Sequence, residues 1–244
     1  YDLETTSKYP DSARVVQVAG IRRDEDRALT PVFNQYCQPG CDISDEAAAI
    51  HGITAEMVKD AEPDHLMMKR LYKYVRDNKD EIIIVGHNII GYDIPILFTL
   101  GGEPFPVRWI DTLVCATRVF PDAESHKLSD LAEWLQLGGH EDAHDAMADI
   151  QMVFAFVDHV RNGLGKTWDQ MAEWCMAPRI LKRIHFGKHK GKLWGRAKPG
   201  ENPKKYVPPP YVRNVIADKF EPTPDLVATL RHHYGMRFKK RSRW

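Results

Sequence analysis

At the head of the chain two apolar side chains, Tyr1 and Leu3, alternate with two acids, Asp2 and Glu4. A period of two places both acids on one face, and the run reads as the end of a β-strand. Residues 14–19 (RVVQVA) predict a second strand, followed by a charged, turn-rich RRDEDR. PVFNQYCQP predicts a third strand that stops at its proline. DISDEAAAIHGI has a helical pattern, and HGITAEMVKD opens a further helix with Thr54 as its N-cap. In PDHLMMKRLYKYVRD the apolar positions 66, 67, 71, 72 and 75 follow the period of a helix buried on one side. EIIIVGHN is a short unbroken apolar run, as expected of a strand covered on both faces. YDIPILFTL resumes as a helix that tolerates Pro95 in its first turn. After WIDTLVCATRVF comes SHKLSDLAEWLQL, a capped helix expected to end at Gly138-Gly139. DAMADIQMVFAFVDHVRN predicts the longest amphipathic helix. Strands first, then helices alternating with a buried strand, predict an α/β sheet with helices on both sides.

Past residue 176 the texture changes. FGKHKGKLWGRAKPGENPKKYVPPPY is rich in Gly, Pro and Lys, and PTPDLVATLRHHYGMRF offers one last helix. The expected organisation is therefore a domain over 1–176 and a small basic module or tail over 177–244. The overall charge of zero hides this division. Residues 1–176 hold 16 Lys+Arg against 30 Asp+Glu, whereas 177–244 hold 18 against 4. A basic tail beside an acidic body points to a polyanion, nucleic acid above all, and to an acidic body that holds cations of its own.

Other features narrow the class. Apolar residues make up 43% of the chain, enough for a sizeable core, yet no apolar run is long enough to cross a bilayer. There is no signal-peptide pattern, and four cysteines are sparse for 244 residues, so a reducing cytoplasmic setting is expected. The pair in CQPGC lacks a second pair with zinc-site spacing and reads as a Pro-Gly turn. A strand ending at Asp2 calls for apolar residues ahead of it, and the sequence begins with Tyr, so we expect a start upstream of Tyr1.

Two like charges on one strand face repel, a cost usually accepted only where a cation sits between them. Further acids and a histidine join them in the candidate set: Asp93, just after GHNIIGY, Asp149 in the long helix, and His144 five residues before it. Hard divalent ions want carboxylate oxygens and open positions for water and phosphate. Carboxylates from separate elements can hold two such ions, which clamp the attacking and leaving oxygens of a phosphodiester displacement. A histidine suits the general base near neutral pH. The step from 144 to 149 is about 500° of helix, so His144 is expected in the loop or cap ahead of the helix. His87 and His140 are read as structural or solvated.

Several blocks occur in order: DLETT at 2–6, AAAIHGITAEMV at 47–58, GHNIIGYDIPIL at 86–97, WIDTL at 109–113, HKLSDLAEWL at 126–135 and HDAMAD at 144–149. Together they resemble the DnaQ-like (DEDDh) family of 3′–5′ exonucleases, and among them the exonuclease I and exonuclease X-like enzymes. The histidine stands five before the last acid, where the sister subclass has Tyr four before it; position 145 here is Asp. The resemblance covers residues 1–160 and implies an RNase H-like mixed sheet flanked by helices. It implies two divalent ions, Mg²⁺ or Mn²⁺, on Asp2, Glu4, Asp93 and Asp149, with Asp2 bridging and His144 as general base. It also implies contacts to the substrate's 3′ end from Thr5, Thr6, His51, Asn88 and Tyr92, the last at a position that is commonly Phe. The activity implied is 3′→5′ hydrolysis of DNA, preferably single-stranded, to nucleoside 5′-monophosphates. An exoribonuclease of the same fold, or a non-catalytic protein that binds nucleic-acid ends, is the alternative. In the tail HFGKHKGKLWG resembles a small carboxy-terminal segment of exonuclease X-like proteins. There Lys188, Lys190, Lys192 and Arg196, interleaved with Phe186 and Trp194, combine phosphate attraction with stacking surface. The other reading is that the two aromatic rings simply pack the tail.

Overall fold

The computed structural model describes all residues except 25–28, 79–81, 102–107, 139–145, 185–186, 209–210, 213–223 and 235–244. By its internal contacts the chain divides into two compact units, Tyr1–Met176 and Ala177–Trp244.

In the first unit, β1 (Asp2–Thr5), β2 (Val15–Arg23) and β3 (Leu29–Tyr36) form an antiparallel sheet in that order, with Asp2 opposite Ala19 and Glu4 opposite Gln17. β2 outruns the predicted RVVQVA. Arg22 and Arg23 are still paired with β3 rather than turning away, because Arg23 has a built seat. Its guanidinium donates to both Asp158 carboxylate oxygens at 2.5 and 3.0 Å and lies over the rings of Phe154 and Trp168. Pro31 is accepted in β3 opposite Ile21, beside a register shift, as an edge position allows.

Two short helices follow. In α1 (Asp45–His51), Ser44 caps the start by accepting from the Ala47 N–H, and Gly52, at φ 71°, ends it. Thr54 caps α2 (Ala55–Val58) as predicted. The one-sided helix is α3 (Asp64–Asp77), which buries Met67, Met68, Leu71 and Val75. A second, parallel strand pair, β4 (Ile83–Gly86) and β5 (Arg108–Asp111), flanks α4 (Asp93–Gly101), whose third residue is Pro95. Then come α5 (Thr112–Val119), α6 (Leu128–Trp134), the long α7 (Ala146–Leu164) and α8 (Trp168–Met176).

The predicted cap of α6 is corrected. Lys127 stands at its N-cap with no side-chain bond, while the Ser125 hydroxyl, two residues ahead, accepts from the Lys127 N–H. The helix also ends at Trp134, ahead of the predicted glycines, where Gln136 adopts a positive φ of 55°.

The Tyr1 backbone nitrogen donates to the Val85 carbonyl at 3.1 Å, which sets the start of β1 beside β4. Two cores lie on opposite sides of β4. Ile84 packs with Leu3, Met68, Leu71 and Ile96, whereas Ile83 and Val85 pack with Ile110, Leu131, Phe156 and Met171. This alternation is why the strand reads as unbroken apolar sequence. α7 lies against β1, β2 and β4, and no helix among the described residues is long and apolar enough to cross a membrane.

The second unit has a small core of its own. Ile184, Trp194, Val207, Val212, Leu226 and Leu230 are buried together, the last two from α9 (Pro224–Tyr234). Asp225 fastens its start by accepting from the Arg179 backbone N–H and Nε.

The seam between β1 and β4 tolerates no side chain at Gly86. A Cβ there would lie 2.8 Å from the Tyr1 carbonyl oxygen and 2.5 Å from Ile89 Cγ2, whereas one at Gly163 in α7 would meet nothing within 4 Å. Gly86→Ala should therefore cost about 1–3 kcal/mol. Gly163→Ala should gain up to about 1 kcal/mol from helix propensity. Urea unfolding of the two variants checks the opposite signs.

Candidate active site

The alternation of β1 decides which side chains reach the site. Leu3 points into the core with α3, so Asp2 and Glu4 take the other face, where α7 packs. The first turn of α7 brings Asp149 to the same point, and one carboxylate oxygen from each of Asp2, Glu4 and Asp149 lies within 4.8 Å of the others. All three are half-buried. Asp93, the first residue of α4, is 4% exposed and stands outside that group of three, yet it is electrostatically linked to Asp2.

Crowding shows in the acidities. Burial, then the neighbouring charge of Asp149, pushes the Asp2 carboxyl up to about 7. Burial, then Asp2, raises Asp93 well above the ordinary carboxylate range. Both groups resist ionising side by side without a cation. A set of carboxylate oxygens held this close, and short of positive charge, fits a hard divalent ion. His144 precedes α7 and lies outside the described residues, as do His140 and Phe186.

The other predicted residues form a hydrogen-bonded frame beside the acids. Thr5 donates to the Ser7 carbonyl, and its hydroxyl also bonds the Tyr92 hydroxyl, which reaches Ser7 as well. His51 Nε2 lies 3.2 Å from the Thr5 carbonyl, while its Nδ1 accepts from the Ile53 N–H at 3.0 Å. Those two bonds together require the neutral tautomer protonated on Nε2, in keeping with a pKa lowered by burial. Thr6 is buried, its hydroxyl accepting from the Arg14 N–H at 3.0 Å. Asn88 takes a left-handed φ of 60°, and its carbonyl accepts from Gly91 and Tyr92. The His87 ring meets the Thr112 hydroxyl at 2.9 Å, on the far side of this turn.

The sequence reading did not single out Asp111. Its buried carboxylate accepts from the Leu113 and Val114 N–H groups as the N-cap of α5, and from those of Asn88 and Ile90. The available signal was an Asp between a strand and a helix, which announces a cap. The reach to residues 88–90 was invisible because it depends on β4 lying beside β5.

Acids from a first strand and a late helix converge at one point of this α/β fold, a donor set suited to a hard divalent cation. Residues 1–157 match the RNase_T family model, described as Exonuclease, and the chain belongs to that exonuclease family. It is 31% identical over 155 residues to a DNA polymerase III subunit epsilon-like protein of Rhodobacter capsulatus, covering 61% of this chain and 21% of that protein. With the 3′-5′ exonuclease DinG of Bacillus subtilis the identity is 28% over 155 residues, covering 62% and 16%. The chain thus spans only 21% and 16% of the length of these two relatives. Among solved structures, exonuclease X in complex with 5′-overhanging duplex DNA superposes with a TM-score of 0.55 at 24% identity, over 71% of this chain and 96% of that one. E. coli exonuclease I with a dT13 oligonucleotide gives 0.57 at 21% identity, over 69% and 41%. These two likenesses establish a shared fold.

The acidities predict a stability signature. A carboxyl whose folded pKa is raised stabilises the fold below its unfolded value, near 4, and that stability is lost as pH rises through about 7. Without metal, Asp2→Asn should therefore raise Tm at pH 8 by about 3 °C and change little at pH 4. Added Mn²⁺ should raise the Tm of the parent chain at pH 8 and that of the variant much less. Thermal melts with chelator or metal at the two pH values check both effects.

Proposed function

We propose that the chain is a divalent-metal-dependent 3′→5′ exonuclease that removes nucleoside 5′-monophosphates from single-stranded DNA ends. The observation that carries this reading is the meeting of Asp2, Glu4 and Asp149 within 4.8 Å beside buried Asp93. Asp2, Glu4 and Asp149 would hold one divalent ion, Asp2 would also serve a second, and Asp93 would complete the set. Mg²⁺ or Mn²⁺ held there would supply an activated water and offset the charge that grows on the leaving oxygen. His144, ahead of α7, takes the proton from that water. Asn88, Tyr92, His51, Thr5 and Thr6 surround the terminal nucleotide. With the Thr5 and Thr6 hydroxyls already engaged within the protein, backbone groups and the Tyr92 ring are left to make these contacts. Support for the polarity comes from the similarity to the 3′-5′ exonuclease DinG, and support for DNA from relatives solved with DNA.

The basic module adds a second contact to the strand. Lys188, Lys190 and Arg196 are exposed and Lys192 is half-buried. Lys188 Nζ stands 5.5 Å above the Tyr211 ring centre. Trp194 is 3% exposed within the module's core, which leaves it no face for a base, so this contact is to phosphates.

Matched 5′-labelled single-stranded DNA, duplex DNA and RNA, each with Mg²⁺ or Mn²⁺, test the reading. We expect a ladder shortening from the 3′ end with mononucleotide release, fastest on single-stranded DNA. Asp149→Ala should lower the rate by at least about 100-fold. Faster loss of RNA, or binding without cleavage, would replace this reading with one of its alternatives. For the module, Lys188→Ala, Lys190→Ala and Arg196→Ala combined should weaken DNA binding. The salt slope should fall by about 0.7 for each phosphate that the module no longer neutralises; an unchanged slope would remove the module from the interface.

A further inference from the structure

Asp111 is 1% exposed, and its bonds are spent on backbone alone. Oδ1 accepts from Leu113 at 2.9 Å and Val114 at 3.4 Å, which caps α5. The same oxygen accepts from Asn88, and Oδ2 from Ile90, each at 3.0 Å. The cap alone needs one oxygen, and many side chains supply it. Holding residues 88–90 at the same time needs the second.

That turn holds one backbone position outside the ordinary right-handed regions. Asn88 occupies a left-handed φ of 60°, uncommon for a residue other than Gly. The next residues supply the acid and the tyrosine of the site. Tyr92 donates its backbone N–H to the Asn88 carbonyl and extends its hydroxyl to Thr5 and Ser7 at the end of β1, and Asp93 begins α4 behind Asp2. One carboxylate thus links the end of β5 to the turn that sets two site residues, and through Tyr92 to the strand bearing Asp2 and Glu4.

We propose that Asp111 is a positioning residue for the cation centre and the terminal nucleotide, holding the 88–92 turn so that Asp93 and Tyr92 keep their places against β1. The proposal rests on the exonuclease reading for its kinetic consequence and not for its structural one. Asn in place of Asp keeps one acceptor oxygen, enough for the cap, but turns an amide NH₂ toward an N–H of the turn. Ser keeps the cap and reaches the turn not at all. The chemistry therefore predicts a graded series at constant helix capping.

The experiment compares the full chain with Asp111→Asn, Asp111→Ser and Val160→Ala. The last is a control that loosens the second core at the far part of α7. Mn²⁺ affinity by calorimetry, kcat and KM on 5′-labelled single-stranded DNA, and Tm are measured for each. Mn²⁺ affinity should fall from parent to Asn to Ser, by about threefold and then tenfold, and kcat should fall further than KM rises. Val160→Ala, assayed at a temperature equally far below its own Tm, should keep parent affinity and kcat. Variants at 111 that merely track the control would overturn the proposal. In the parent chain the Asn88 and Ile90 amides should exchange slowly with solvent, and fast exchange there would overturn it even if both variants fail to fold. A parent chain that binds Mn²⁺ yet cleaves nothing would defeat the exonuclease reading alone, since affinity and exchange still judge Asp111.

Discussion

The acid centre depends on α7 lying across β1, because neither element holds enough ligands alone. A single strand can present Asp2 and Glu4 side by side, but their repulsion is then unrelieved. Packing α7 onto that face deepens the repulsion by adding Asp149 and by stripping water, which is what lifts the Asp2 carboxyl. The fold tolerates this because the reverse face of β1 is anchored by apolar contact through Leu3, and its start is bonded to β4 through Tyr1. Stability gathered in the two cores is set against strain concentrated at one point, the usual division of labour between scaffold and site.

Elements whose pattern arises from burial on one side could be read directly. The alternation at Tyr1–Glu4, positions 67, 71 and 75 of α3 and the unbroken run of β4 each report the faces that the structure covers, whereas Leu66 of the predicted α3 stripe is exposed and Met68 is buried in its place. The gathering of Asp2, Glu4 and Asp149 was legible for a related reason: charge on a face that ought to be apolar needs explaining. What escaped reading depended on partners distant in sequence. Arg22 and Arg23 look like the start of a turn until Asp158, Phe154 and Trp168 supply a seat for Arg23. Ser125 looks like a helix cap, yet α6 begins a turn's fraction later. Trp194 sits among glycines and lysines, with no period to say that it is core, until Ile184, Val207 and Leu230 close around it.

The second unit draws its core from stretches far apart in sequence. Among its described residues six buried apolar side chains form that core, with Asp225 and Thr229 of α9 tied back to Arg179 and Leu181 by hydrogen bonds. Among the described residues most of the unit's lysines and arginines are exposed, while Trp194 is buried in the core and Tyr211 and Tyr234 pack against it.

The clasp at the end of β2 gives α7 a second role. Asp158, gripped by Arg23, and Asp149, at the acid centre, belong to one uninterrupted helix nine residues apart, about 13 Å along its axis. The helix works as a stiff rod gripped at Asp158 and carrying one acid of the cluster at Asp149. The helix therefore meets the first sheet at two places, at β1 beside Asp149 and at the end of β2 beside Asp158, and two fastenings fix its heading across the strands.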